Sequence, residues 1–239
     1  MKNQYFGDIN DYRKYGLIRS ILRSSDLNLL VAWMLTPDDG STDGKFIEYL
    51  KDTEKWQNYD KELYEGLTQI INKSDCRKVS LIEETDYLPS ANYFSRIVPD
   101  GTGKRINWYQ DLTTKAINSN IIFLDPDNGV EVKSISFGRK NSSKYVYWSE
   151  IEGLWNLGKS LLIYQHFPRK ERKKYINEML SKFSNICSGS FVEAFSTSNV
   201  VFFLLLQPNH HQHHTAIVSD VQLNWGKEIQ HWEIYNAKA

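Results

Sequence analysis

A three-layer α/β/α sandwich around a mostly parallel sheet is the fold this sequence predicts, and three observations predict it. Continuous apolar runs at 27–35, 121–124, 160–164 and 200–206 read as strands covered on both faces. Segments of helical periodicity separate most of these runs, which is the alternation that builds a parallel sheet between two helical layers. A chain of 239 residues, 13% aromatic and 24% charged, is long and apolar enough to bury one core, so a single α/β domain over residues 1–239 is expected.

The elements follow in order. A first helix is predicted from about residue 8 or 10 to 23. Tyr12, Tyr15, Leu17, Ile18, Ile21 and Leu22 recur near helical spacing, and Arg13, Lys14, Arg19 and Arg23 take the other faces. The strand at 27–35 ends in Thr36-Pro37-Asp38-Asp39-Gly40-Ser41-Thr42-Asp43-Gly44, a loop rich in turn formers. Helices are predicted at 46–50 and 61–72, a short strand at 79–83 and an irregular excursion at 89–105. A helix at 108–118, with Leu112, Ala116 and Ile117 on its apolar side, precedes the strand 121–124, which is expected at the centre of the sheet. Beyond it come a helix at 149–157, a strand at 160–164 and a strongly charged helix at 168–183. Strands at 191–195 and 200–206, turned at Thr197-Ser198-Asn199, are expected to be partly antiparallel.

Composition excludes some functions. The 29 basic and 29 acidic side chains cancel, so affinity for nucleic acid requires a local basic surface. Cys76 and Cys187 stand alone, without CxxC or Cys/His spacing, as free thiols of a reducing compartment do. With no apolar leader and no run of about 18 apolar residues, a cytoplasmic protein without a membrane partner is expected.

Ligands of open α/β sheets bind beyond the carboxyl ends of the strands. Four loops with polar residues leave predicted strands: Asp38-Asp39-Gly40, Asp125-Pro126-Asp127-Asn128-Gly129, Gln165-His166 with Phe167-Pro168-Arg169, and Gln207-Pro208-Asn209-His210. They are expected to meet at one edge. Asp125 and Asp127 offer two bases, Asn128 a bidentate amide that can read a nucleobase edge, and His166 an acid/base near neutrality. Tyr5, Phe6, Asp8 and Tyr12, in the aromatic and charged N-terminal motif, are candidate pocket walls on which bases or sugars stack. Arg169, Lys170, Arg172, Lys173 and Lys174, with Arg139, Lys140 and Lys144, form a candidate basic surface. The His210-His211-Gln212-His213-His214 tract lacks the paired spacing of a zinc site, and no metal is expected.

Two resemblances attach to these motifs. The order of elements resembles a bacterial ribosomal-RNA adenine N6-methyltransferase, in which an N-terminal aromatic helix precedes the cofactor strand and a later strand ends in Asp-Pro-Pro-Tyr. Asp125-Pro126-Asp127-Asn128 falls where that tetrapeptide would, with Asp127-Asn128 in place of Pro-Tyr. The C-terminal half resembles the uracil-DNA glycosylase superfamily, with Asp125 to Gly129 as the acidic water-activating motif and Gln207-Pro208-Asn209-His210 as the late histidine motif.

The second resemblance implies a DNA glycosylase that hydrolyses the N-glycosidic bond of a modified or damaged base, in repair or in defence against phage, without cofactor or metal. On this expectation Asp125, Asp127 and His166 are catalytic. Asn128, Tyr5, Phe6, Asp8, Tyr12, Asp38, Asp39, Gln165, Asn209 and His210 bind substrate, and Arg139, Lys140, Lys144, Arg169, Lys170 and Arg172 hold the DNA backbone. The alternatives are an S-adenosylmethionine-dependent nucleic-acid methyltransferase and a noncatalytic nucleotide or nucleic-acid binding module.

Overall fold

The computed structural model describes residues 1–38, 40, 44 and 46–233. Its framework is one seven-stranded sheet between two helical layers, as the apolar runs predict. The strands are β1 (Leu29–Ala32), β2 (Asn92–Phe94), β3 (Ile121–Leu124), β6 (Ser160–His166), β7 (Phe191–Ser196), β8 (Val200–Leu206) and β9 (Gln230–Glu233), in the order β2-β1-β3-β6-β8-β7-β9. A separate parallel pair is formed by β4 (Gly129–Val130) and β5 (Tyr145–Val146). β2, β1, β3 and β6 pair in parallel, while β8 runs antiparallel to β6 and β7, and β9 antiparallel to β7. Five of the seven strands therefore share one direction.

Alternating side chains along each strand feed two cores. Val31, Phe123, Leu162, Phe202 and Leu204 face α1 (Ile9–Arg23), α3 (Lys61–Lys73) and α8 (His214–Trp225). Leu30, Ile122, Leu161, Phe203 and Leu205 face α5 (Thr102–Lys115), α6 (Trp148–Asn156) and α7 (Arg172–Ile186). On this second face Arg105 of α5 grips Glu150 of α6 bidentately, at 2.7 and 2.8 Å, away from water. Two four-residue helices, α2 (Thr53–Trp56) and α4 (Ser80–Glu83), complete the chain. Among the described residues no helix is long and apolar enough to cross a membrane.

Several elements differ from expectation for identifiable reasons. The segment 79–83, expected as a strand, holds the helix α4, because three apolar residues among five are too few to distinguish the two periods. The excursion 89–105 contains β2 and the first turn of α5. The charged helix starts at Arg172 instead of 168, capped by the Glu171 carboxylate on the amides of Lys173 and Lys174, which leaves 167–171 as a loop. α8 was hidden behind the histidine tract, although Ile217, Val221 and Trp225 recur every four residues and are buried.

The strand order positions the site. From β1 the chain moves to β2 on one flank and then crosses to β3 on the other, so the topological switch lies between β1 and β3. A crevice opens at their carboxyl ends, where such sheets bind ligands. α1 is brought over this crevice by its packing on α8. Gly16 lies against the Trp225 indole, and a Cβ there would stand 2.0 Å from Cζ2. Gly16→Ala is accordingly expected to cost about 1–3 kcal/mol through overpacking, read as a lower midpoint in thermal unfolding followed by circular dichroism. Trp225→Phe in the same background should restore part of the loss, and an unchanged midpoint for Gly16→Ala would contradict this contact.

Candidate functional site

The crevice between β1 and β3 holds a pocket of about 450 Å³, a size suited to one nucleoside-like ligand. Four stretches wall it: the N-terminal residues Met1, Lys2 and Tyr5; Asp8, Asn10, Asp11 and Lys14 at the start of α1; Asp125 to Asn128 after β3; and Lys144, Tyr164 and His166. Gly44 and Phe46 close the side beyond β1. The backbone is stitched across the crevice, since the Met1 amine donates to Met34 O and Asp125 O, and Thr36 N donates to Met1 O. Met34, at the end of β1, has φ 46°, a strained value for a side chain of its kind.

Lys14 is the centre of the site. Its ammonium donates to Asp11 Oδ1 at 2.7 Å and to Asp125 Oδ2 at 2.8 Å, and all three residues are buried. Burial alone would lower the Lys14 pKa, but Asp11 and Asp125 outweigh it and the net displacement is upward. Burial raises the Asp125 pKa, and Lys14 holds that rise back. Asp11 also accepts from Gly7 N and from the Tyr15 hydroxyl, so it is fully engaged in holding the helix start.

Asp8 caps α1 by accepting from the amides of Asn10 and Asp11 at 2.8 and 3.0 Å. Burial, and then the neighbouring Asp11 charge, push its pKa up to about 7. A pocket-lining carboxyl that exchanges its proton near neutrality is suited to general acid/base work. Asp127 is differently placed. It is buried, with Lys2 at 3.8 Å and Lys144 at 3.9 Å, yet among the described residues no hydrogen bond reaches its Oδ1. Asn10 Oδ1 is also without one. Asp127 Oδ1 has the Met1 amine 4.0 Å away as an ion-pair partner.

Tyr164 and His166 form the opposite wall, hydroxyl to Nε2 at 3.2 Å with the rings edge to face. Burial, and then the Asp125 charge, raise the Tyr164 pKa well above its usual value, so the hydroxyl keeps its proton. His166 stands at the exposed rim, and the protein around its inner side lowers its pKa, which leaves the imidazole neutral at pH 7.

The expected site residues separate into those that meet and those that do not. Asp125, Asp127, Asn128, His166, Asp8 and Tyr5 line one pocket, with Lys144 beside them. Phe6 and Tyr12 do not; both are core residues, and Tyr12 stacks on Tyr49 at 5.4 Å and meets Trp225 edge-on. Gln165 turns away and braces the loop, accepting from Val130 N and donating to the Asn128 and His166 carbonyls. Asp38 lies exposed outside the pocket, accepting from Gln4 N, and Asp39 lies outside the described residues. Asn209 and His210 are at the opposite edge, because β8 is antiparallel and its carboxyl end lies beside the start of β6, where His210 Nδ1 meets Ser160 Oγ at 2.8 Å. Thus two of the four loops, those after β3 and β6, line the pocket, and the loop after β8 cannot. Arg139, Lys140, Arg169, Lys170 and Arg172 are exposed on the loops beside the pocket mouth.

Lys14, Asp11, Asn10, Lys2 and Tyr164 were not among the expected site residues. Lys14 and Arg13, assigned to the outer faces of the helix, are both buried. The signal available for Lys14 was its spacing of three from Asp11, which on most helices marks only a surface pair.

Asp8 makes a test of the electrostatics. A carboxyl with its folded pKa near 7 and an ordinary value of 3.8 releases its proton earlier in the unfolded chain, so stability falls as pH rises from about 4 to about 7 and levels off above. Asparagine caps a helix equally well and carries no charge. Asp8→Asn should therefore raise the midpoint in thermal unfolding by clearly more at pH 8 than at pH 5; a difference that stays flat between these values would contradict the raised pKa.

No protein-family model and no curated protein matches the chain. Among solved structures, one similar chain is protein LPL1258 from Legionella pneumophila str. Philadelphia 1, of family DUF519. It is 12% identical, with 95% of this chain and 96% of that chain covered, at a TM-score of 0.44.

Proposed function

We propose that the protein is an S-adenosylmethionine-dependent methyltransferase that modifies a nitrogen of a nucleobase. The observation that carries this reading is the pocket itself, a crevice of about 450 Å³ at the switch between β1 and β3 lined by Asp8, Asn10, Asp127 and Asn128. The methyltransferase resemblance assigns the cofactor to the first strand and the target amine to the strand ending in the acidic tetrapeptide, and the crevice lies between these two strands.

The donor set fits an adenosyl cofactor. The oxygens of Asp8, Asn10 and Asp127 suit ribose hydroxyls and an ammonium, and the Lys2 and Lys144 ammonium groups suit a carboxylate. Gly40 and Gly44, both at positive φ, give the loop after β1 the backbone freedom for close approach to a ligand. When bound, the cofactor supplies a methyl group activated on a sulfonium. The chain supplies the rest. Asp8 takes the proton that the target nitrogen releases, Asn128 reads the base edge, and Tyr164 with neutral His166 forms the wall against which the base rests. The free thiols Cys76 and Cys187 suit a cytoplasmic setting for this activity.

The glycosylase reading is favoured by a different observation, a carboxyl titrating near neutrality in the same pocket as a second carboxylate, Asp127, which suits water activation without a cofactor. It is second here because Asn209 and His210, its late histidine motif, lie at the wrong edge of the sheet.

Calorimetry with S-adenosylmethionine should show one site per chain, and Asp127→Ala should weaken it about 10- to 100-fold, the value of a hydrogen bond to a charged group. Transfer of a labelled methyl group to nucleic acid should fall with Asp8→Asn. Absence of cofactor binding would overturn the proposal, and alkali-sensitive abasic sites in cofactor-free incubations with modified DNA would establish the glycosylase in its place.

A further inference from the structure

In the pocket four aspartates face four cations, the Met1 amine, Lys2, Lys14 and Lys144, whereas the two stretches of chain that lead away from its wall are strongly basic, and that contrast bears on the form in which the substrate arrives. Residues 131–144 carry Lys133, Arg139, Lys140 and Lys144 against one acid, Glu131. Residues 166–174 carry Arg169, Lys170, Arg172, Lys173 and Lys174 against Glu171 alone. Together these two stretches hold an excess of seven positive charges in a protein whose formal net charge is zero.

Both stretches spring from the edge at which the pocket opens. The first follows β4, whose neighbour Asn128 lines the pocket, and ends at Lys144 on its wall. The second begins at His166, also on the wall, and runs through the 167–171 loop into α7. Of these basic side chains, Lys170 pairs with Glu178 at 3.6 Å and Lys144 lies 3.9 Å from Asp127. Arg172 covers the Phe167 ring at 5.1 Å. Lys133, Arg139, Lys140, Arg169, Lys173 and Lys174 are exposed and make no ion pair among the described residues. Unneutralised cations in this number are costly to gather unless a polyanion answers them.

We infer that the substrate is a single-stranded or locally opened polynucleotide, not a free nucleotide: the two basic stretches track its phosphodiester backbone and one unpaired base enters the pocket between them. A duplex cannot present a base to a recessed pocket without flipping it. RNA and DNA share the chemistry this surface recognises. The inference rests on the proposed reading of the pocket only for what happens to the base, and stands apart from it for how the chain is held.

The test is fluorescence anisotropy with labelled 20-nucleotide single-stranded RNA, single-stranded DNA and duplex DNA, between 50 and 200 mM salt. Single strands should bind more tightly than the duplex, and the RNA and DNA arms identify the natural backbone. Each phosphate contact contributes about −0.7 to the slope of log affinity against log salt for single strands. Arg139→Gln/Lys140→Gln and Arg169→Gln/Arg172→Gln should each make that slope less steep by about 1.4 and weaken binding at 50 mM at least tenfold. Lys115→Gln, an exposed charge at the far end of α5, should leave both unchanged. Circular dichroism confirms that these exposed variants fold. No binding of either single strand at 50 mM, equal loss with Lys115→Gln, or binding to anionic phospholipid vesicles in place of oligonucleotides would each overturn the inference. Methylation of a free nucleoside without salt-sensitive oligonucleotide binding would overturn it while leaving the methyltransferase reading intact; salt-sensitive binding without cofactor uptake would do the reverse.

Discussion

The Lys14 ammonium, held between Asp11 and Asp125 at 2.7 and 2.8 Å, is the interaction on which the site depends. Three ions removed from water carry a desolvation cost of several kcal/mol each, recovered only by short, well-aligned contacts, and losing one partner leaves a buried charge uncompensated. The bridge joins residues 111 positions apart, one on the first helix and one at the end of the central strand. Aromatic packing of Tyr12 and Tyr15 sets α1 on the sheet, but it is this charge contact that fixes the helix start over the crevice. The Met1 amine adds a second cation beside Asp125. Burial, and then the Asp11 charge, lift Asp8 toward neutrality against the opposing Lys14.

A division of duties between neighbouring acids follows. Asp125 and Asp11 are consumed by Lys14 and by the backbone of the helix start, and are poorly placed to meet a ligand. Asp127, two residues beyond Asp125, keeps a buried oxygen without a hydrogen bond, and Asp8 keeps a proton it can exchange. The fold creates the space for both. Because the chain reverses its direction of winding at β1 and β3, connections leave these two strands toward opposite flanks and a crevice opens between their carboxyl ends, beneath the start of α1.

The layered α/β fold was legible because its central strands are buried on both faces and so read as unbroken apolar runs; 121–124 and 200–206 match β3 and β8 residue for residue. Short or mixed segments were not, since β2 is three residues long and α8 follows a polar tract. Within the site, the acidic loop after β3 was legible because polar residues at the end of a buried strand must emerge at the sheet edge. Lys14 was not, because its partner Asp125 is distant in sequence and a tertiary ion pair leaves no periodic trace. The misplacement of Asn209 and His210 has a sharper lesson. The turn at Thr197-Ser198-Asn199 is too short for a parallel crossover, so it forces β8 to run back, and any loop leaving β8 must lie at the amino end of β6.

Charge is sorted in this molecule more than its neutral total suggests. Inside the pocket Asp8, Asp11, Asp125 and Asp127 face the Met1 amine, Lys2, Lys14 and Lys144, whereas the stretches 131–144 and 166–174 that leave its wall carry an excess of cations. On the proposed reading this arrangement separates the parts of one substrate. The charge-balanced pocket suits a neutral nucleobase, whose donors the oxygens of Asp8 and Asp127 accept, and the cationic stretches suit the phosphates on either side of it. A pocket for a neutral, donor-bearing group flanked by cationic stretches fits a base that is still attached to its chain.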